Sequence, residues 1–161
     1  MLFCLTLSAQ EMMYGYILPP EPDETLNNST LLGIDVNGNG VRDDVERNVI
    51  ETYKEPIKIE FMMGRAKVSQ NILENPVGLA IENSNKMSKL TMCLMYLKKQ
   101  NIRINNSVES INNITYTTKE RVRAYLEYDQ VLSGGVYGSG RSDWVATACE
   151  FDVEQMLKDR R

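Results

Sequence analysis

Met87-Ser88-Lys89-Leu90-Thr91-Met92-Cys93-Leu94-Met95-Tyr96-Leu97 decides the fold class. Met87, Leu90, Leu94 and Leu97 step by three, four and three, which lines one face of an α-helix, and Cys93 stands beside that stripe. The start of this helix falls anywhere from Val77 to Ser84. Upstream, Ile57, Phe61, Val68 and Ile72 predict a helix from Ile57 to about Glu74, ended by Asn75-Pro76. Before it, Val45, Val49, Ile50 and Tyr53 share one face of a helix that stops near Glu55-Pro56. Downstream, Asn105 to Asn113 reads as a short helix. Thr117 and Glu120 have the spacing of a capping box, opening a helix that buries Val122, Tyr125, Leu126 and Leu132 and closes at Ser133-Gly134-Gly135. A last helix runs from about Asp152 to Lys158. No run alternates as a strand would, and no internal repeat is present. The expectation is an all-α fold, a small bundle of about four to six helices. Pro19, Pro20 and Pro22 with Asp23 to Thr30 form an extended N-terminal lead-in rather than a helix.

At 161 residues, with 42% hydrophobic and 25% charged residues, the chain can close one hydrophobic core. The net charge of −4 gives no reason to expect a nucleic-acid partner, and Lys98-Lys99 and Arg160-Arg161 are too short to track phosphates. Histidine is absent, which excludes a Ser-His-Asp triad, a Cys-His dyad and a histidine-ligated zinc site.

Leu2 to Ala9 is a short apolar run ending in small residues, followed by Gln10 and Glu11. It reads either as the later part of a truncated signal peptide, placed at 1–15, or as a plain hydrophobic N-terminal segment ahead of one helical domain at 16–161. The first reading makes the protein exported, periplasmic or extracellular. No other stretch is long and apolar enough to cross a membrane. Cys4 would leave with a signal, so Cys93 and Cys149, 56 positions apart, form either a disulfide or two buried thiols. The bridge would stabilise the fold by roughly 4 kcal/mol in the chain-entropy account.

The stretch most informative about chemistry is Asp35-Val36-Asn37-Gly38-Asn39-Gly40-Val41-Arg42-Asp43-Asp44-Val45-Glu46. It has the register of a calcium loop, with oxygen side chains at positions 1, 3, 5, 9 and 12 and glycine at 6. Asp35, Asn37 and Asn39 would supply side-chain oxygens and Val41 its carbonyl. Asp43 would act directly or through water, and Glu46 would clasp with both oxygens. Gly40 permits the bend. The alternative is a polar Asn-Gly-Asn-Gly turn followed by chance acids. With Asp35, Asp43 and Glu46 as the charged ligands, the expected affinity is on the order of 10⁻⁵ to 10⁻³ M. Arg42 at position 8, where paired loops carry an aliphatic residue, argues for an unpaired loop. Calcium would then fix the lead-in against the first helix as a structural clamp rather than a switch.

Other candidates are weaker. Ser133 to Ser142 is a glycine- and serine-rich connector without the lysine of a phosphate cradle. Tyr125, Tyr128, Tyr137 and Trp144 could line a sugar or peptide surface, but tyrosines at helical spacing more often pack. Asp43, Asp44, Glu46 and Glu51 could be imagined as glycosidase acids, although the loop already uses two of them. Asn28 and Asn113 head Asn-x-Thr glycosylation sequons.

Asp35-Val36-Asn37-Gly38-Asn39-Gly40 resembles a dockerin-type segment, and Gly40 to Asp43 with Glu46 resembles the acidic repeats of thrombospondin type 3. Both families use calcium structurally; dockerins carry two segments where this chain has one. Beyond the loop, Pro19-Pro20-Glu21-Pro22, Thr30 to Asp35, Thr118 to Leu126, Leu132-Ser133-Gly134 and Cys149-Glu150-Phe151 are similar to small exported bacterial proteins of unassigned function. The resemblance implies a calcium loop, export and a disulfide, and no activity. Two functions follow: a calcium-stabilised, non-catalytic module that binds a protein or a cell-surface polymer, or a small hydrolase whose acids are unidentified.

Overall fold

The computed structural model describes residues 11–105, 107–135 and 145–160. The fold is all-α. After a hairpin of β1 (Met12–Met13) and β2 (Tyr16–Ile17), the helices are α1 (Glu24–Asn28), α2 (Asp43–Tyr53), α3 (Pro56–Glu74), α4 (Ala80–Lys99), α5 (Ser107–Thr115), α6 (Lys119–Leu132) and α7 (Val153–Asp159), with a 3₁₀ turn at Ala146–Ala148 before α7.

α3 is the axis of the bundle, touching α2, α4, α5, α6 and α7. Its sequence explains why. Ile57, Phe61, Val68 and Ile72 make one buried stripe, as their spacing predicts, while Ile59, Met62, Ala66 and Leu73 make a second. A helix apolar on most of its circumference belongs inside a bundle. Pro56 occupies its first turn, where no backbone N–H is needed. α4 follows after a short connection and packs on α3 where Gly64 faces Leu90. A Cβ at Gly64 would stand 3.2 Å from Leu90 Cδ2, so the missing side chain lets the two helices close. Leu90, Cys93 and Leu97 are fully buried, and Met87 and Leu94 flank them half-buried. Cys93 is bridged to Cys149 with Cα atoms 4.9 Å apart, tying α4 to the segment before α7. Among the described residues no helix is long and apolar enough to cross a membrane.

Four expectations change. The lead-in is not wholly extended: Asp23 accepts from Leu26 N at 2.9 Å and so caps α1, a signal that the prolines upstream obscured. The cap of α6 is Thr118, whose hydroxyl accepts from Arg121 N, not Thr117. The buried face of α6 carries Arg121, Ala124 and Tyr128, leaving Val122 and Leu126 exposed at 41% and 57%. There is also a short strand pair, in register Met12 with Ile17 and Met13 with Tyr16. It turns through Tyr14 and Gly15, both at positive φ, and Tyr16 Oη holds it to α3 by donating to Glu60 at 2.7 Å. Residues 11–15, grouped above with the N-terminal segment, are therefore partly built into the domain, whereas Leu2 to Ala9 lies outside the described residues.

Candidate metal centre

The loop 35–46 is shaped by its own side chains. Asp35 Oδ1 accepts from Gly38 N at 2.9 Å and from Asn39 N at 3.3 Å, and its Oδ2 accepts from Gly40 N at 2.9 Å. One carboxylate thus gathers three successive backbone N–H groups. Asn37 and Asn39 each fold back on the chain, Oδ1 accepting from Asn39 N at 3.0 Å and Val41 N at 2.8 Å respectively. Gly38 and Gly40 take the positive φ such a path needs. The loop is closed at its base by Asp43 N donating to Ile34 O at 2.8 Å.

α2 starts at Asp43, so Asp43 and Glu46 lie in its first turn, where the partial positive charge of the helix end favours anions. Asp43 accepts from Val36 N at 3.1 and 3.3 Å. Glu46 Oε2 accepts from Asn37 Nδ2 at 3.0 Å and Asn39 Nδ2 at 2.7 Å. Asp43 is fully buried and Glu46 is 6% exposed. Burial raises the pKa of both above the ordinary carboxylate range. Repulsion from Asp35 and Asp44 adds to this at Asp43 and repulsion from Asp43 and Asp35 adds at Glu46, while the N–H donors work the other way. Val41 contributes its side chain to the core at 1% exposure.

Asp35, Asn37, Asn39, Asp43 and Glu46 are therefore brought together in one loop. Among the described residues none of the three acids forms an ion pair. The nearest cation in sequence, Arg42, is turned away. Its Nε pairs with Asp44 at 2.5 Å, and its Nη atoms donate to the carbonyls of Ile114 at 2.9 Å and Thr115 at 3.2 Å. Position 8 thus anchors the loop to the C-terminal end of α5. Among the described residues no group of three or more histidine, cysteine, aspartate or glutamate side chains is already arranged to hold a metal ion. The acids are instead held by backbone and amide N–H groups.

Sequence reasoning missed the arginines that place the loop. Arg121, fully buried, donates to the carbonyls of Asn27 at 2.6 Å, Leu31 at 3.0 Å and Thr30 at 3.3 Å, and to Asn28 Oδ1 at 2.8 Å and Thr117 Oγ1 at 3.0 Å. Arg47 pairs with Glu21 at 2.6 Å and donates to the carbonyl of Pro19 at 2.8 Å, holding the proline-rich segment on α2. Gly33 sits between these supports at φ +71°; a Cβ there would lie 2.2 Å from Arg42 Cδ and 2.6 Å from Asn27 Oδ1. The only sequence sign of this framework is Arg42 at position 8.

The weaker candidates do not assemble. Tyr125 stacks on Tyr116 with ring centroids 4.7 Å apart and stands 6.1 Å from Tyr128, a packing arrangement rather than a platform. Tyr137, Trp144 and the connector beyond Gly135 lie outside the described residues. Of the acids imagined for hydrolysis, Asp44 pairs with Arg42 and Glu51 with Arg47, and neither Asp43 nor Glu46 faces them as a free pair. A groove of about 420 Å³ lies between 28–31 and α6, lined by Thr30, Leu31, Pro76, Arg123, Ala124 and Glu127 among others.

No protein-family model, no curated protein and no solved structure matches this chain.

Proposed function

We propose that residues 35–46 bind calcium and that the ion acts as a structural clamp in a non-catalytic, exported helical protein that serves as an interaction module for a protein or a surface polymer. The supporting observation is the trio Asp35, Asp43 and Glu46, two of them buried, gathered in one loop without a cationic partner among the described residues. Burying carboxylates costs free energy unless a counter-charge accompanies them. The donor set is all oxygen: the three acids, the amide oxygens of Asn37 and Asn39, and the carbonyl of Val41, which suits a hard cation. The ion would supply the counter-charge that Glu46 lacks; the residues of this chain supply the frame. Asp35 sets the turn, Arg42 ties it to α5, and Arg121 and Arg47 tie the lead-in to the bundle. The bridge Cys93–Cys149 is compatible with an oxidising compartment. Exposed Val122 and Leu126 on α6 and Leu26 on α1 offer apolar contact area for a partner.

The test is thermal unfolding of the oxidised chain in calcium, magnesium and chelator, beside Asp35→Ala and Glu46→Gln. Calcium at ten times its dissociation constant should add about 1.4 kcal/mol to the wild type and nothing to either variant. A wild-type curve unmoved by millimolar calcium would remove the metal and the clamp together.

A further inference from the structure

The loop holds two Asn-Gly pairs, Asn37-Gly38 and Asn39-Gly40, and no other stands in the chain. This dipeptide is chemically labile because glycine offers no side chain to hinder attack by its own backbone nitrogen. That nitrogen attacks the asparagine Cγ, a C–N bond forms, the Cγ–Nδ2 bond breaks, and the nitrogen's proton leaves with ammonia. Water then opens the succinimide to aspartate or isoaspartate. Asn37, Gly38 and Gly40 are exposed to solvent and Asn39 is half-buried, so water is at hand.

In this loop each participant is occupied. The attacking nitrogens are Gly38 N and Gly40 N, and both donate at 2.9 Å to the same carboxylate, one to Asp35 Oδ1 and the other to Oδ2. The departing nitrogens, Asn37 Nδ2 and Asn39 Nδ2, both donate to Glu46 Oε2. The amide oxygens are held by the N–H groups of Asn39 and Val41. Neither side chain can swing toward its glycine without breaking three hydrogen bonds.

We propose that Asn37 and Asn39 are latent deamidation sites, kept silent by Asp35, which holds the nucleophilic nitrogen of both. Loosening Asp35 exposes them. Conversion at Asn39 is then self-reinforcing: it places a carboxylate where an N–H donor now meets Glu46 Oε2 at 2.7 Å. An isoaspartate also adds a backbone atom between Asp35 and Val41. The loop thus carries a chemical record of how long it has been open. None of this depends on calcium.

The experiment ages the full oxidised chain in mildly alkaline buffer with chelator, followed by peptide mapping of isoaspartate and of the roughly one-dalton mass gain at each site. Both sites in the folded wild type should convert at least about tenfold more slowly than in the urea-denatured chain, and Asp35→Ala should erase that difference at both. Asp35→Asn keeps one acceptor oxygen and should release one site only. Ile72→Val, which weakens the core but leaves Asp35 intact, should stay silent. Far-UV circular dichroism confirms which variants fold; if Asp35→Ala does not, Asp35→Asn decides. Wild type converting at the denatured rate, a folded Asp35 variant no faster than wild type, or Ile72→Val as fast as Asp35→Ala would each overturn the proposal.

Discussion

Arg121 Nη2 donates to the carbonyl of Asn27 at 2.6 Å, joining α6 to the end of α1 across 94 positions of sequence. The same guanidinium takes the carbonyls of Thr30 and Leu31, so a single buried side chain satisfies two successive carbonyls of a non-helical segment that has no sheet to pair with. Burial and repulsion from the nearby Arg42 disfavour its charge and lower the Arg121 pKa, and Asp44 partly offsets this. We therefore expect Arg121→Met to lower the unfolding free energy by about 3 kcal/mol or more, since several buried carbonyls lose their donor at once. Arg121→Lys should rescue little of it, because an ammonium cannot reach the same fan of acceptors. Urea titration of the three proteins is the check.

Gly33 and Gly40 both have positive φ, at +71° and +82°, yet alanine should act differently at the two. At Gly40 a Cβ meets nothing within 4 Å, leaving only the backbone cost of about 1 kcal/mol. At Gly33 it would collide with Arg42 Cδ and Asn27 Oδ1, both buried and hydrogen-bonded. Gly33→Ala should therefore cost at least about 2 kcal/mol more than Gly40→Ala, read as a difference in denaturation midpoints. Equal effects would mean that the contact around Arg42 is looser than described.

These residues also mark where the sequence was legible. α2, α3 and α4 announced themselves through apolar spacing at Val45, Val49 and Ile50, at Ile57 through Ile72, and at Leu90 and Leu97. The loop announced itself through oxygen side chains at alternate positions. α6 misled because its buried face is built on Arg121, three of whose five partners are backbone carbonyls that leave no mark in the sequence. Hydrophobicity pointed instead to Val122 and Leu126, which are exposed. Arg47 was hidden for the same reason, its target being the carbonyl of Pro19. Conversely, the cap Asp23 was legible in principle, three residues before Leu26, but sat beneath a run of prolines.

Reduction of Cys93–Cys149 should lower stability by roughly 4 kcal/mol, the loop entropy released when a separation of 56 residues is no longer closed. Cys93→Ala with Cys149→Ala, measured without reductant, should match the reduced wild type to within about 1 kcal/mol. Because Cys93 is fully buried beside Leu90 and Leu97, a larger loss in the double variant would report packing rather than the bridge.

Alkaline pH offers a test of the packing around α3. Tyr16, Tyr116 and Tyr128 all have their phenol pKa raised, each chiefly by burial; the Glu60 carboxylate adds to it at Tyr16, and neighbouring tyrosines add to it at Tyr116. The folded state thus keeps protons that the unfolded chain gives up near pH ~10. The contribution of these tyrosines to stability should be constant below that pH and fall above it, since the native state binds more protons there. Tyrosinate absorbance should rise in two phases: exposed tyrosines first, then Tyr16, Tyr116 and Tyr128 together with the loss of helical circular dichroism. Tyr16→Phe should remove part of the second phase and flatten the alkaline decline, while Glu60→Gln should lower the Tyr16 transition, because it removes the charge that opposes phenolate formation. A single phase covering every tyrosine, complete before the helices melt, would show that these three phenols are open to solvent and that the hairpin and α6 are not packed on α3 as described.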